Sequence, residues 1–240
     1  MDDAFIVTCE HGGNRIPAAY RGLFRGKNKL LSSHFGFDPG ALHMAKALAG
    51  ALDAPLLAST TSRLLIDLNR PSGHRHLYSA VTRNVPAEMH AEIVSKYYQP
   101  YLAEVEQRVG DLVERGKRVI HIASHSFTPE LNGVVRRADV GLLYRPNRRS
   151  EKQLCARWKA KLAECAPTLK VRRNYPYCGK AAGLTEQLRR RFSADHYVGI
   201  ELEVNQHFVT TGGRRWSELC RVLPQSLVAC MRGTRVPLQQ

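Results

Sequence analysis

Near-continuous apolar runs bounded by turn residues alternate along this chain with stretches whose apolar positions recur every three to four residues. The runs predict strands at 4–9, 55–61, 118–124, 139–145 and 197–204. The helical periodicity predicts helices over 40–52, within 87–115, and over 150–165, 183–192 and 214–231. Strands without strict polar alternation belong to a sheet covered on both faces. The expected fold class is therefore α/β, with a mainly parallel or mixed central sheet flanked by helices. No internal repeat or linker interrupts the 240 residues, so a single domain is expected over 1–240. In such folds ligands gather at the C-terminal ends of the strands, and the polar clusters of this chain fall there.

The run 4–9 ends in Cys9-Glu10-His11-Gly12-Gly13-Asn14. Two glycines allow a sharp turn and close approach of a ligand. A histidine beside an acid at a strand end suits a metal site, and equally suits a polar turn. The run 118–124 continues into His125. Alternation along a strand puts His121, Ala123 and His125 on one face, His121 deep as a core histidine and His125 at the end. Ser124 points the other way, which excludes a Ser124–His125 nucleophilic pair. In the last run Ile200, Leu202 and Val204 share one face while Glu201, Glu203 and Asn205 share the other. Two carboxylates on one face of a central strand are costly unless paired, and burial raises a glutamate towards the range of a general base.

Between these runs, Arg63-Leu64-Leu65-Ile66-Asp67-Leu68-Asn69-Arg70 allows two readings. Asn69 and Arg70 form a neutral donor and a planar fork fit for a carboxylate. Alternatively Arg63 or Arg70 forms a buried ion pair with Asp67. Asp38-Pro39-Gly40 reads as a helix start, with Asp38 as N-cap and Pro39 in the first helical position. Tyr175 and Tyr177 lie in a turn-rich stretch from which they can donate hydrogen bonds to a substrate or oxyanion. The neighbouring Cys178 has no nucleophile spacing.

Composition narrows the partners. The net charge of +15 favours anionic ligands. Its densest clusters, Arg145–Arg149 and Arg189–Arg191, read as solvated surface or as phosphate contacts. Aromatics at 8% and no RNA-binding signature count against nucleic acid. No stretch nears the ~20 apolar residues of a membrane span, and the acidic start MDD lacks the basic region of an export signal. The six scattered cysteines read as free thiols, and a cytoplasmic location follows.

Taken in order, CEHGGNRIP, FDPGALHMAKALA, SRLLIDLNRP, HSFTP, VGLLYRP, NYPYCG and ELEVNQ resemble the N-formylglutamate amidohydrolase family over roughly residues 5 to 210. That family is similar in fold to zinc carboxypeptidases and aspartoacylase. The resemblance implies one Zn2+ per chain held by His11 and His125. It implies a carboxylate clamp of Asn69 and Arg70 supported by Arg63, and Glu203 as general base; Tyr177, from its loop, is expected to join them at the substrate. The relatives' His-x-x-Glu is here His11-Gly12-Gly13-Asn14. Neutral asparagine is a poor zinc ligand, so the third ligand is expected to be Asp38, or failing that Glu10. Asn205 stands where many relatives carry arginine, a change expected to alter substrate preference. The implied activity is metal-dependent hydrolysis of an N-acyl amide on a small anionic amino acid such as glutamate. The alternatives are a small-peptide carboxypeptidase and a basic nucleic-acid- or ligand-binding protein on a degenerate hydrolase scaffold.

Overall fold

A computed structural model describes residues 1–181 and 183–232. The strands are β1 (Asp3–Cys9), β2 (Leu56–Ala58), β3 (Arg118–Phe127), β4 (Glu130–Leu131), β5 (Val134–Val135), β6 (Val140–Leu143), β7 (Val171–Arg173) and β8 (Tyr197–Asn205). The helices are α1 (Asn28–Leu31), α2 (Ala41–Leu52), α3 (Ala87–Ile93), α4 (Gln99–Glu114), α5 (Arg149–Cys165), α6 (Leu184–Arg191), α7 (His207–Thr211) and α8 (Gly213–Arg232). Six strands form one sheet in the order β2-β1-β3-β8-β6-β7, and β4 with β5 makes a separate hairpin. β2, β1, β3 and β8 run parallel; β6 lies antiparallel to β8 and parallel to β7. The mixed α/β class expected from the sequence is the one observed.

The alternation of β8 explains how the layers form. Val198, Ile200, Leu202 and Val204 bury one face of the strand against a core shared with Met44, Leu48, Trp158, Leu162, Leu223 and Leu227 of α2, α5 and α8. Each such side chain removed from water contributes about 1.5–3 kcal/mol. On the opposite face Ile6, Val119 and Tyr197 pack against Val105 and Val109 of α4 and Leu184 and Leu188 of α6. That second layer covers only part of the sheet. Beyond it, towards the C-terminal strand ends, the same face carries Glu201 and Glu203.

Several boundaries differ from expectation. The helix expected within 87–115 is continuous, but Val94–Tyr98 form a π-turn in which Gln99 N–H bonds to Val94 O. Pro100 lacks an N–H and would clash with a regular preceding turn, so the helix widens just before it. The expected strand 55–61 shortens to Leu56–Ala58, because Ser59 and Thr60 turn their carbonyls to Gly12 and Arg15 instead. A Cβ on Gly12 would sit 2.9 Å from Ser59 O, and one on Gly13 2.7 Å from Thr60 O. These glycines thus admit a neighbouring backbone and not, as anticipated, a ligand. The three-residue edge strand β7, the hairpin, and the short α1 and α7 carry too few periods to be read from sequence.

The arginine clusters are not simply solvated surface. Arg189 is fully buried; its Nε lies 2.9 Å from Glu151 Oε1, and its other nitrogens donate to the carbonyls of Gly179 and Gly199. Arg148 donates to the carbonyls of Tyr197, Arg189 and Phe192. Arg145 pairs with Glu186 at 2.6 Å. These arginines tie α5 and α6 to the sheet.

Candidate active site

Topology first brings the histidines together. From β1 the chain goes outward to β2 on one side and then returns to place β3 on the other. The two C-terminal ends therefore splay apart and leave a crevice at the switch. His11 follows β1 by two residues and His125 lies near the end of β3, so both project into this crevice; their ring centroids are 5.2 Å apart.

Asp38 joins them from the loop before α2. Its Oδ2 lies 3.3 Å from His11 Nδ1 and 2.9 Å from His125 Nδ1. This corrects the helix-start reading: α2 begins at Ala41 with Gly40 as N-cap at φ +80°. Pro39 and Gly40 make the turn, and the Asp38 side chain is left to face the histidines.

The second nitrogen of each ring meets another carboxylate. His11 Nε2 lies 2.7 Å from Asp67 Oδ1, and His125 Nε2 lies 3.0 Å from Glu10 Oε2. Glu10 is therefore behind His125, and Tyr101 donates to its other oxygen at 3.0 Å. Asn14 is exposed and outside the cavity lining.

A long irregular segment delivers the next group. Leu64, Leu65, Ile66 and Leu68 anchor residues 62–70 in a core with Ile16, Tyr20, Leu77, Ile93 and Tyr98. Thr82 and Ser79 hydroxyls satisfy the carbonyls of Leu64 and Leu65. This fixes Asp67, which accepts from Arg63 Nη2 at 2.6 Å and from Asn69 N–H at 3.0 Å. Arg63 also reaches Asp38 at 3.5 Å. The ion pair considered for this segment is thus present for Arg63 at 2.6 Å, and Arg70 Nε also approaches Asp67 Oδ2 at 3.9 Å. Tyr98 holds the carbonyl of Arg70, whose guanidinium lines the cavity. Asn69 Oδ1 accepts the N–H of Leu184 at 2.7 Å, possible only because Gly183 has no Cβ to obstruct it. Its amide nitrogen lies 3.4 Å from His125 Nε2.

Charge is finely divided here. Burial opposes ionisation of Asp38 and Asp67, but His11 and His125 beside the first, and Arg63 and His11 beside the second, hold both well below the usual carboxylate range. Burial likewise opposes Glu10, which contacts with His125 and Thr8 nevertheless bring down to about 2. Glu203 behaves differently. Its Oε2 is buried without a hydrogen-bond partner among the described residues. Burial, abetted by Asp38 and Glu201 and opposed by His125 and Arg63, pushes it up to about 8. Its neighbour Glu201 accepts from Thr185 Oγ1 at 2.5 Å.

A cavity of about 410 Å³ joins these groups. His11, Asp38, His125, Arg63, Asn69, Arg70, Tyr177 and Glu203, all singled out from the sequence, line it together. Other residues of interest lie elsewhere. His121 is a satisfied core histidine between Thr8 and Tyr197, with burial lowering it to about 4. Ser124 donates to Ala41 O on the opposite face. Asn205 is not at the cavity; it donates to the carbonyls of Arg136 and Ala138 and acts as a structural clip. Sequence reasoning missed Asp67 as a partner of His11, Tyr101 as a partner of Glu10, and His34, Phe35, Thr128 and Gln206 in the lining. Asp67 had a signal in its place between Arg63 and Asn69-Arg70, but pairing across 56 residues is not written in local pattern.

The arrangement fits a divalent ion. One atom from each of His11, Asp38 and His125 can be chosen so that all lie within 4.8 Å of one another. With bonds of ~2.0–2.2 Å, tetrahedral ligand atoms stand roughly 3.3 Å apart, close to the 3.3 and 2.9 Å separations involving Asp38 Oδ2. Asp67 stands at Nε2 of His11 and Glu10 at Nε2 of His125, which leaves both Nδ1 atoms turned towards Asp38.

The cavity thus gathers titratable side chains at the switch point of a mixed α/β sheet. The sequence model of N-formylglutamate amidohydrolase matches residues 3–210. The chain belongs to the N-formylglutamate amidohydrolase family, whose members hydrolyse amide bonds. A crystal structure of a gene product from Agrobacterium tumefaciens is similar, with 26% identity and a TM-score of 0.82 over 97% of this chain and 92% of that one. That of N-formylglutamate amidohydrolase from Ralstonia eutropha shares the fold at 20% identity, with a TM-score of 0.69 over 97% of this chain and 95% of that one. No curated protein matches the sequence. No helix among the described residues is long and apolar enough to cross a membrane.

Proposed function

We propose that this protein is a zinc-dependent amidohydrolase that removes a small acyl group, formyl or similar, from an anionic amino acid such as glutamate. The observation that carries this reading is one cavity holding both a three-residue ligand set, His11, Asp38 and His125, and a buried carboxyl, Glu203, whose Oε2 has no partner among the described residues. Zinc bound there would supply Lewis acidity, easing deprotonation of water and offsetting charge on the acyl oxygen.

The chain's own groups do the rest. Glu203 Oε2 takes a proton from the attacking water and returns it to the leaving nitrogen. Glu201 is less suited, because its Oε1 is committed to Thr185. Positive charge among the neighbouring carboxylates would draw Glu203 down from about 8 towards neutrality, the range a general base needs. Arg70 and the amide nitrogen of Asn69 bind the substrate carboxylate and set the scissile bond against Glu203. Tyr177 adds a hydroxyl from the facing loop. Arg63 positions Asp67 and Asp38, and through Asp67 the ring of His11.

The test combines metal content with turnover. Protein purified without chelator is expected to carry about one zinc per chain and to release formate from N-formylglutamate faster than it cleaves dipeptides. Glu203→Gln is expected to lower kcat by about 10²–10⁴ while zinc is retained. Zinc-loaded protein inert towards every N-acyl amino acid would sink the proposal. Faster cleavage of dipeptides would turn it to a carboxypeptidase.

A further inference from the structure

The large apolar side chains that this protein leaves in water are not scattered. Among the described residues Phe35 is 56% exposed, Tyr177 46%, Val134 66% and Val135 60%, with Met1 the other of that kind. Phe35 and Tyr177 line the cavity, and so does the half-buried Leu131. Tyr177 is fixed there, because its hydroxyl accepts from Arg136 Nη1 at 3.1 Å and the guanidinium lies 5.1 Å from its ring centroid.

The hairpin β4–β5 adds to the same edge. Asn132 at φ +52° and Gly133 at φ +75° make its two-residue turn, which sets Leu131 opposite Val134 and Glu130 opposite Val135. Side chains directly opposite one another in an antiparallel pair share a face. Val134 therefore extends the face that Leu131 presents to the cavity, and Val135 lies on the far face with Glu130. Apolar residues exposed singly are ordinary, whereas a group of them at the rim of a pocket marks a surface for a ligand.

This lip continues the wall that carries the ligand set. Phe35 stands in the loop that holds Asp38, and Leu131 follows β3 beyond His125. Asn69 and Arg70 come instead from the segment 62–70. The apolar end thus belongs to the acyl side of the scissile bond and not to the side of the amino acid's carboxylate. At about 410 Å³ the cavity falls in the range that takes drug-sized ligands, and a formyl group leaves its apolar end unfilled. We propose that Phe35, Leu131, Val134 and Tyr177 form a subsite for an apolar acyl chain, so that the protein hydrolyses N-acyl amino acids with butyryl to hexanoyl chains in addition to formyl ones. The inference rests on the amidohydrolase reading for the position of the scissile bond. Water adds to the acyl carbon, the C–N bond breaks, the chain leaves as a free carboxylic acid, and the amine leaves with the proton that Glu203 returns.

The experiment compares N-formyl-, N-acetyl-, N-butyryl- and N-hexanoylglutamate on the full-length chain. Calorimetry measures their binding in a Glu203→Gln background, and turnover is measured with Glu203 in place. From acetyl upwards, affinity is expected to rise about twofold per methylene, against roughly fourfold for complete burial, and KM to fall in step. Phe35→Ser and Leu131→Ser are each expected to lower the preference for hexanoyl over acetyl by about threefold or more. Val135→Ser, on the far face of the hairpin, is expected to leave that preference unchanged. Thermal melts check that the variants fold. Affinity that stays flat or falls with chain length overturns the subsite, as does a preference that Phe35→Ser and Leu131→Ser do not move or that Val135→Ser moves equally. Hydrolysis of N-formylglutamate without any gain from longer chains removes the subsite and leaves the amidohydrolase reading. Affinity that rises with chain length in a protein that hydrolyses none of the four removes the amidohydrolase reading and leaves the subsite.

Discussion

Two groups of charged side chains are buried in this protein, on the same sheet, and they are built on opposite terms. Around Arg189 the guanidinium and the Glu151 carboxylate answer one another, although the nearby Glu186 Oε2, 3.6 Å from Arg189 Nη1, makes no hydrogen bond among the described residues. Glu151 takes its Nε, two carbonyls take its remaining nitrogens, and Glu151 in turn accepts the N–H groups of Arg145 and Gly199. Around His11 and His125 the balance is incomplete. Glu203 keeps a buried oxygen without a partner among the described residues, and the group opens to a cavity. Burial alone does not distinguish a brace from a working site. The distinction is whether hydrogen-bonding and charge are closed internally or left for a ligand to complete.

The largest expected effect breaks the sealed cluster. Arg189→Met leaves Glu151 buried and uncompensated, a loss of about 3–5 kcal/mol. Thermal unfolding should fall by about 10 °C, while kcat per folded molecule stays within threefold of wild type. If activity collapses and the melting curve does not move, the two clusters are not separable as argued. A smaller effect is expected at the open cluster from Asp67→Asn. Asp67 holds His11 Nε2 at 2.7 Å, and loss of such an outer carboxylate lowers metal affinity about 10–100-fold. Competition with a chromogenic chelator measures it; unchanged affinity would mean that Asp67 serves Arg63 alone.

The last effect is one of pH, read on metal-free protein. Glu203 stands at about 8 in the fold against an ordinary value of 4.5. Below 4.5 both states hold the proton; between 4.5 and 8 only the folded state does, so the stability it contributes is lost as pH rises through that window. The melting temperature of metal-free wild type should therefore decline more steeply between pH 5 and 8 than that of Glu203→Gln. Parallel curves would show that Glu203 is ionised in the fold.

Much of the scaffold was legible because its signals are local. Continuous apolar runs mark β1, β3 and β8, and alternation along β8 by itself places Glu201 and Glu203 opposite Ile200, Leu202 and Val204. The side chains that gather in the cavity could be named because their motifs, in order, carry a family's pattern. Local signals also misled. Asp38-Pro39 has the composition of a helix start, yet the turn spends Gly40 on the cap and gives Asp38 to the histidines. Arg189 lies in a run of arginines that looks solvated, yet it is sealed against Glu151.

The sequence by itself determined the α/β class, the strand faces and a roster of polar residues at strand ends, since these depend on periodicities of two and 3.6 residues and on turn chemistry. Only the tertiary structure decided which carboxylate stands behind which imidazole, and that Glu10 backs His125 while Asp38 faces both rings. Those outcomes depend on distances between segments up to 115 residues apart, as with Asn69 and Leu184. They also depend on the desolvation that packing imposes on each charge, and neither is encoded in any short window of the chain.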